Sequence, residues 1–157
     1  MSDVATWTRT LEANLGLLER MLDGVDREGS LRPLVPGGSH LNWLVGHLAV
    51  SRDAMLRAAG AAGLDAARVD PLYRRGSAAP GDDAALELSE LRDLLRRQGE
   101  RLAERLPVLN DGALAAPSGM GDTDVRRYLE FMVWHETYHL GQAVLYRRAL
   151  GLASPIG

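Results

Sequence analysis

Trp134-His135-Glu136-Thr137-Tyr138-His139-Leu140-Gly141-Gln142 lies near the C-terminal end of a chain of 157 residues. Around it Val125, Tyr128, Met132, His135, His139, Gln142, Tyr146 and Ala149 recur at alternating steps of three and four. That period predicts an amphipathic helix with this stripe turned inward. His135 and His139 then sit one turn apart in the middle of the apolar face. Four helical residues rise about 6 Å and return to nearly the same azimuth, so two ring nitrogens can reach one ion at about 2.0–2.1 Å. A lone core histidine more often donates to a carbonyl. Two at this spacing, with another upstream, favour a metal.

The same residues spell H-E-x-x-H, the zinc-peptidase signature in which Glu136 would act as general base. Only 18 residues follow His139, which leaves little room for a downstream carboxylate ligand. The extended form of the motif fails as well, because Gln142 and Leu145 stand where it requires Gly and His. A third ligand must come from upstream.

Outside this stretch, three further helices are expected. The first covers 3–24, capped by Ser2 or Asp3, with Trp7, Leu11, Leu15, Leu18 and Leu22 as its buried stripe. Pro33, Pro36, Gly37 and Gly38 then form a connector that cannot continue a helix. The second covers about 40–60, with Ser39 as N-cap and Asn42 as a partial capping box. His47 is flanked by Leu44, Leu48 and Ser51, so it is expected to face inward as the third ligand, whereas His40 is expected beside the cap near solvent. Residues 60–81 carry Gly60, Gly63, Pro71, Gly76, Pro80 and Gly81 and read as a long loop between helices two and three. Within it Tyr73, Arg74 and Arg75 are candidates to close over a site and bind an anionic substrate; the competing reading is a solvated loop. The third helix, about 83–106, is expected to be capped by Asp82 or Asp83 and to end at Pro107, with an outer face of solvated Arg and Glu pairs. The last runs from a cap at Asp122 or Thr123 to about 150, with Gly151 after it. Four amphipathic helices without a convincing strand predict a single all-α domain over 1–157, a four-helix bundle with ligands projecting inward.

Composition bounds the chemistry. Cysteine is absent, so a transition metal must be held by nitrogen and oxygen. The formal net charge is −3, which gives no electrostatic case for a nucleic-acid partner. All 18 basic residues are Arg, which excludes a Schiff-base lysine. No apolar run approaches the roughly 20 residues of a membrane span, and no basic region precedes an apolar run near Asp3, so a cytoplasmic protein is expected.

Two segments resemble the DinB/YfiT-like superfamily of small four-helix metalloproteins. One is Ser39-His40-Leu41-Asn42-Trp43-Leu44-Val45-Gly46-His47-Leu48, similar to the family's second-helix segment that ends in a ligand histidine. The other is His135-Glu136-Thr137-Tyr138-His139-Leu140-Gly141-Gln142 followed by Arg147-Arg148-Ala149-Leu150-Gly151. The resemblance implies a divalent metal on His47, His135 and His139, and a twisted bundle that pairs as a homodimer. Leu140 departs from the polar or basic residue common before Gly-Gln, a detail of the site rim. Some relatives use low-molecular-weight thiols, in thiol S-transferases and mycothiol-dependent isomerases.

Three imidazoles leave a coordination position open, as catalytic sites do. The expected activity is that of a transferase or hydrolase, in which a metal-activated thiol or water attacks a small-molecule electrophile; the thiol version is what the resemblance implies. Zn²⁺ or Ni²⁺ suits the ligands, with Fe or Mn behind them. Glu136 and Gln142 are the catalytic candidates: Glu136 as acid/base or as a partner fixing an imidazole tautomer, Gln142 to orient a ligand or hold a bound water. Gly141 is expected to permit close helix packing. The rivals are a non-catalytic metal-holding stress-response or structural dimer, and an H-E-x-x-H metallopeptidase.

Overall fold

The computed structural model describes residues 3–156. In chain order the helices are α1 (Asp3–Leu22), α2 (Arg27–Leu31), α3 (Leu41–Ala58), α4 (Ala66–Tyr73), α5 (Leu88–Arg105), α6 (Asp111–Ala115) and α7 (Val125–Ala149), with one 3₁₀ turn at Leu106–Val108. No strand occurs among the described residues, and none of their helices is long and apolar enough to cross a membrane. The four long helices form the expected bundle, with α1 packed on α7 and α5, and α3 on α5 and α7.

A polar layer divides the interior. On one side lies a cluster containing Leu18, Met21, Leu44, Leu48, Leu91, Leu95, Leu140 and Tyr146. On the other lies one containing Trp7, Leu11, Met55, Leu56, Leu102, Leu129 and Val133. Between their contributions to the two clusters the long helices place buried polar residues: Asn14 on α1, Ser51, Arg52 and Asp53 on α3, Gln98 on α5, and Glu136 and His139 on α7. Arg52 and Glu136 form a bidentate ion pair at 2.8 and 2.9 Å. Arg52 also donates to the carbonyls of Leu95 and Leu11, so one side chain of α3 ties together α7, α5 and α1. Asn14 donates to Thr137, and Gln98 to the carbonyl of Ala49.

The same clusters give the directions of the helices. Along the chain, α1 and α7 pass from the cluster around Trp7 to that around Leu18, and α3 and α5 pass the other way. Neighbours α3 and α5 therefore run parallel. Helices of 18 residues are about 27 Å long, so the chain leaving the end of α3 must return the full height of the bundle before α5 can begin. This is the physical reason for the length of the connection, and it corrects the expectation of a long loop over 60–81. The return contains α4, whose Tyr73 is fully buried rather than poised over a site. Its hydroxyl donates to Asn42 and accepts from the backbone N–H of Leu86. Gly46 makes this packing possible, because a Cβ there would fall 2.3 Å from the Tyr73 ring.

Several caps lie elsewhere than expected. His40, not Ser39, caps α3: its Nδ1 accepts from the N–H of Trp43, and its Nε2–H donates to the carbonyl of Pro80. It is buried, not near solvent, and Asn42 serves Tyr73 and Leu86 instead of a capping box. Glu87 and Glu90 form a reciprocal capping box on α5, where Asp82 or Asp83 was expected. Asp124 caps α7 in place of Asp122 or Thr123. Asp3 lies within α1, and Ser2 lies outside the described residues. On the outer face of α5, Arg92 pairs with Glu19 of α1 and Arg97 with Asp65, so some of these charges join elements.

Candidate metal centre

Helix α3 contributes His47 and α7 contributes His135 and His139, and the bundle brings the three together. All face one another through Nε2: His135 Nε2 is 3.4 Å from that of His47 and 3.0 Å from that of His139. Two nitrogens each about 2.1 Å from one ion lie roughly 3.0 Å apart at a right angle and roughly 3.4 Å apart at a tetrahedral one. Both separations from His135 therefore suit donors that share one divalent ion. Among the described residues, no carboxylate belongs to the cluster.

The other ring nitrogens set the tautomers. His47 Nδ1–H donates to the carbonyl of Tyr73 at 2.9 Å, and His139 Nδ1–H donates to Gln142 Oε1 at 2.7 Å. Each neutral ring then turns an Nε2 lone pair toward the shared point, as metal ligation requires. Gln142 is anchored in turn by donating Nε2–H to the Tyr138 hydroxyl. His135 Nδ1 has no partner among the described residues. The indole of Trp43 stacks on His47, with ring centroids 4.9 Å apart and planes 5° from parallel, and its Nε1–H donates to Ser77.

Burial pushes the pKa of all three imidazoles down. For His135 it falls to about 4, helped by the neighbouring His139, His47 and Arg75. His47 and His139 are also lowered by burial, against opposing bonds to Tyr73 and Gln142. Near pH 7 the rings are neutral and able to ligate.

The histidines expected at the site come together there, and Gln142 is present as the partner of His139. Glu136 is not. It is 3% exposed and both oxygens are taken by Arg52, so it neither fixes an imidazole nor can take a proton from a reacting group. Tyr73 meets the site only through its backbone carbonyl, while Arg74 and Arg75 are exposed beyond the end of α4. Gly141 does not pack inside the bundle: it is exposed and a Cβ there would meet nothing within 4 Å. Sequence reasoning missed Trp43 and Arg52. Trp43 stands one turn before His47 on the same stripe, a spacing that signals ring contact; nothing in the sequence marks Arg52 as buried.

Residues 9–143 match the DinB superfamily. No curated protein matches the chain. Among solved structures, a conserved protein from Enterococcus faecalis is 17% identical, with a TM-score of 0.71 over 94% of this chain and 96% of that one. YfiT from Bacillus subtilis, a probable metal-dependent hydrolase with an unusual four-helix bundle topology, is 20% identical, with a TM-score of 0.70 over 98% of this chain and 91% of that one. At such identities the likeness shows the fold alone.

Proposed function

This chain belongs to the DinB superfamily, and we propose that it is a divalent-metal-dependent enzyme with His47, His135 and His139 as ligands and a low-molecular-weight thiol, or else water, as nucleophile. The observation that carries this reading is the convergence of three Nε2 atoms, with the tautomers of His47 and His139 set by Tyr73 and Gln142. A divalent ion bound there supplies Lewis acidity that draws the pKa of a coordinated thiol or water toward neutrality. The chain itself orients the ligands: Gln142 holds His139, the α4 carbonyl holds His47, and Trp43 fixes the plane of the His47 ring. Zn²⁺ and Ni²⁺ suit three imidazoles best, ahead of Fe or Mn.

The thiol version is supported by the lack of a carboxylate in the cluster. A water nucleophile gains from a neighbouring base, whereas a thiol with a free pKa of about 8.5 needs little more than the ion. A peptidase reading loses its base at Glu136. We also propose a homodimer, because Phe131, Trp134, Tyr138 and Leu145 form one outer stripe of α7 and are 52%, 59%, 52% and 55% exposed. A cytoplasmic setting, where such thiols are plentiful, belongs to the same proposal.

The test is elemental analysis of untagged protein purified without added metal, wild type beside His47→Ala, followed by thiol transfer to a model electrophile. About one equivalent in wild type and a large loss in the variant are expected. Undiminished metal in the variant would remove His47 from the site. No binding after reconstitution with Zn²⁺ or Ni²⁺ would end the metalloenzyme reading.

A further inference from the structure

The segment after α4 is held in an unusually determined way. His47 Nδ1–H fastens the carbonyl of Tyr73, and the Nε1–H of Trp43 fastens Ser77 Oγ. These anchors are one turn apart on α3, and Trp43 and His47 are themselves stacked. Between them the chain makes a turn, closed by the Ser77 N–H to Arg74 carbonyl bond at 3.0 Å, with Gly76 at φ 82°. Ser77 Oγ–H closes it further onto the carbonyl of Leu72. Arg75 is the residue before that glycine, so its backbone is presented on a rigid turn tied to a ligand histidine and to the ring that stacks on it.

Arg75 is exposed and has no ion-pair partner among the described residues, so its guanidinium is free to meet a ligand. It stands two residues after Tyr73, whose carbonyl accepts from His47, and two before Ser77, whose hydroxyl accepts from Trp43. The ligand cluster holds no carboxylate, and the nearest acid in sequence, Glu136, is neutralised by Arg52. A divalent ion among neutral imidazoles beside a free guanidinium leaves a concentrated positive charge with no anion from the protein. A planar guanidinium fork meets a carboxylate bidentately.

We infer that Arg75, presented by the pinned Tyr73–Ser77 turn beside the three-histidine cluster, recognises a carboxylate on the small molecule that binds there. This rests on reading the cluster as a metal site. The carboxylate can belong to the thiol or to the molecule it attacks, and either source meets the same guanidinium. Arg75 is then a specificity-determining residue: it selects anionic over neutral ligands without holding the ion.

The test compares carboxylates with their neutral amides by calorimetry on Zn²⁺-reconstituted protein. One pair is 3-mercaptopropionate and 3-mercaptopropionamide; the other, without a thiol, is 3-phenylpropionate and 3-phenylpropionamide. Wild type, Arg75→Gln and Arg75→Lys are compared after elemental analysis has shown equal Zn²⁺ content. Wild type should favour the carboxylate by about tenfold or more in at least one pair. Arg75→Gln should bring that pair to within about twofold, with Arg75→Lys between. Direct ligation of Zn²⁺ by the carboxylate would leave the preference intact in Arg75→Gln, and that result overturns the inference, as does no preference in either pair. Selectivity confined to the phenyl pair, with neither thiol bound, would keep Arg75 in this role and defeat the thiol reading. Tight binding of both thiols, indifferent to charge and to Arg75, would do the reverse.

Discussion

Replacing Glu136 by Gln separates the two uses that an H-E-x-x-H sequence can have. The carboxylate is buried with Arg52, accepts from Nε at 2.8 Å and from Nη2 at 2.9 Å, and has no second function in the structure. Removing one partner of a buried pair costs about 3–5 kcal/mol, chiefly because the other charge is left uncompensated. Gln keeps the volume and one acceptor oxygen, and Arg52 keeps its bonds to Leu95 and Leu11, so the lower end, about 3 kcal/mol, is expected. In a domain of this size that is a fall in Tm of roughly 6–12 °C. The assay is urea unfolding followed by circular dichroism at pH 7 with EDTA present, so that metal linkage does not enter. Metal content and any thiol-transfer rate per folded molecule should match wild type at a temperature where the variant is folded. A variant within about 1 kcal/mol of wild type but unable to turn over would refute the reasoning, because it would place the carboxylate at the chemistry.

Gln142→Ala should weaken metal affinity by about 10–100-fold, as loss of an imidazole's orienting partner does, while leaving the metal-free unfolding curve nearly unchanged; competition with a chelator reads the affinity. The lowered histidine pKa values predict an acid limb for the metal-free protein. The unfolded chain takes up protons near pH 6.5 and the folded one does not, so this contribution is fully present above about 6.5 and is lost as pH falls toward the His135 value of about 4. Urea midpoints at pH 7.5 and 4.5 test it, with His135→Leu expected to flatten the difference. If α7 pairs with a second copy, Trp134→Glu puts charge in the middle of its outer stripe and should give a monomer in sedimentation with the fold retained; a dimer unaffected by the change would exclude this face.

What could be read from sequence follows from how each feature is encoded. The helix α7 is legible because its period persists over 25 residues, but the expected stripe is turned to the rim of the buried face: Ala149 is exposed, Tyr128, His135 and Gln142 are half-buried, and Leu129, Val133, Glu136, Leu140 and Ala143 face inward instead. Helix α4 was not legible: it has eight residues, contains Pro71, and starts after Asp65 at φ 58° with no side-chain cap. Tertiary contact stabilises it, through the Tyr73 ring on Gly46 and the Tyr73 hydroxyl on Asn42. The parallel course of α3 and α5 is likewise invisible to periodicity, which says which face is buried but not which way a helix runs. Arg52 escaped because arginine is seldom fully buried; only the assembled bundle reveals three elements offering it acceptors at one point.

Geometry also explains why the most recognisable five residues gave both a right and a wrong expectation. Successive helical residues are rotated by about 100°. His135 and His139, four apart, therefore share an azimuth near the rim of the buried face, where His47 of α3 can reach them. Glu136 is turned about a quarter of a circle away, and in this bundle that direction leads inward to the layer where α1, α3 and α5 converge. In a peptidase the same quarter turn must point into an open cleft. The pair of histidines carries its meaning in spacing alone, so it survives transfer between folds; the role of the glutamate depends on what the neighbouring helices place beside it. Here α3 places an arginine there, and the residue that would have been a base becomes half of the bundle's internal ion pair.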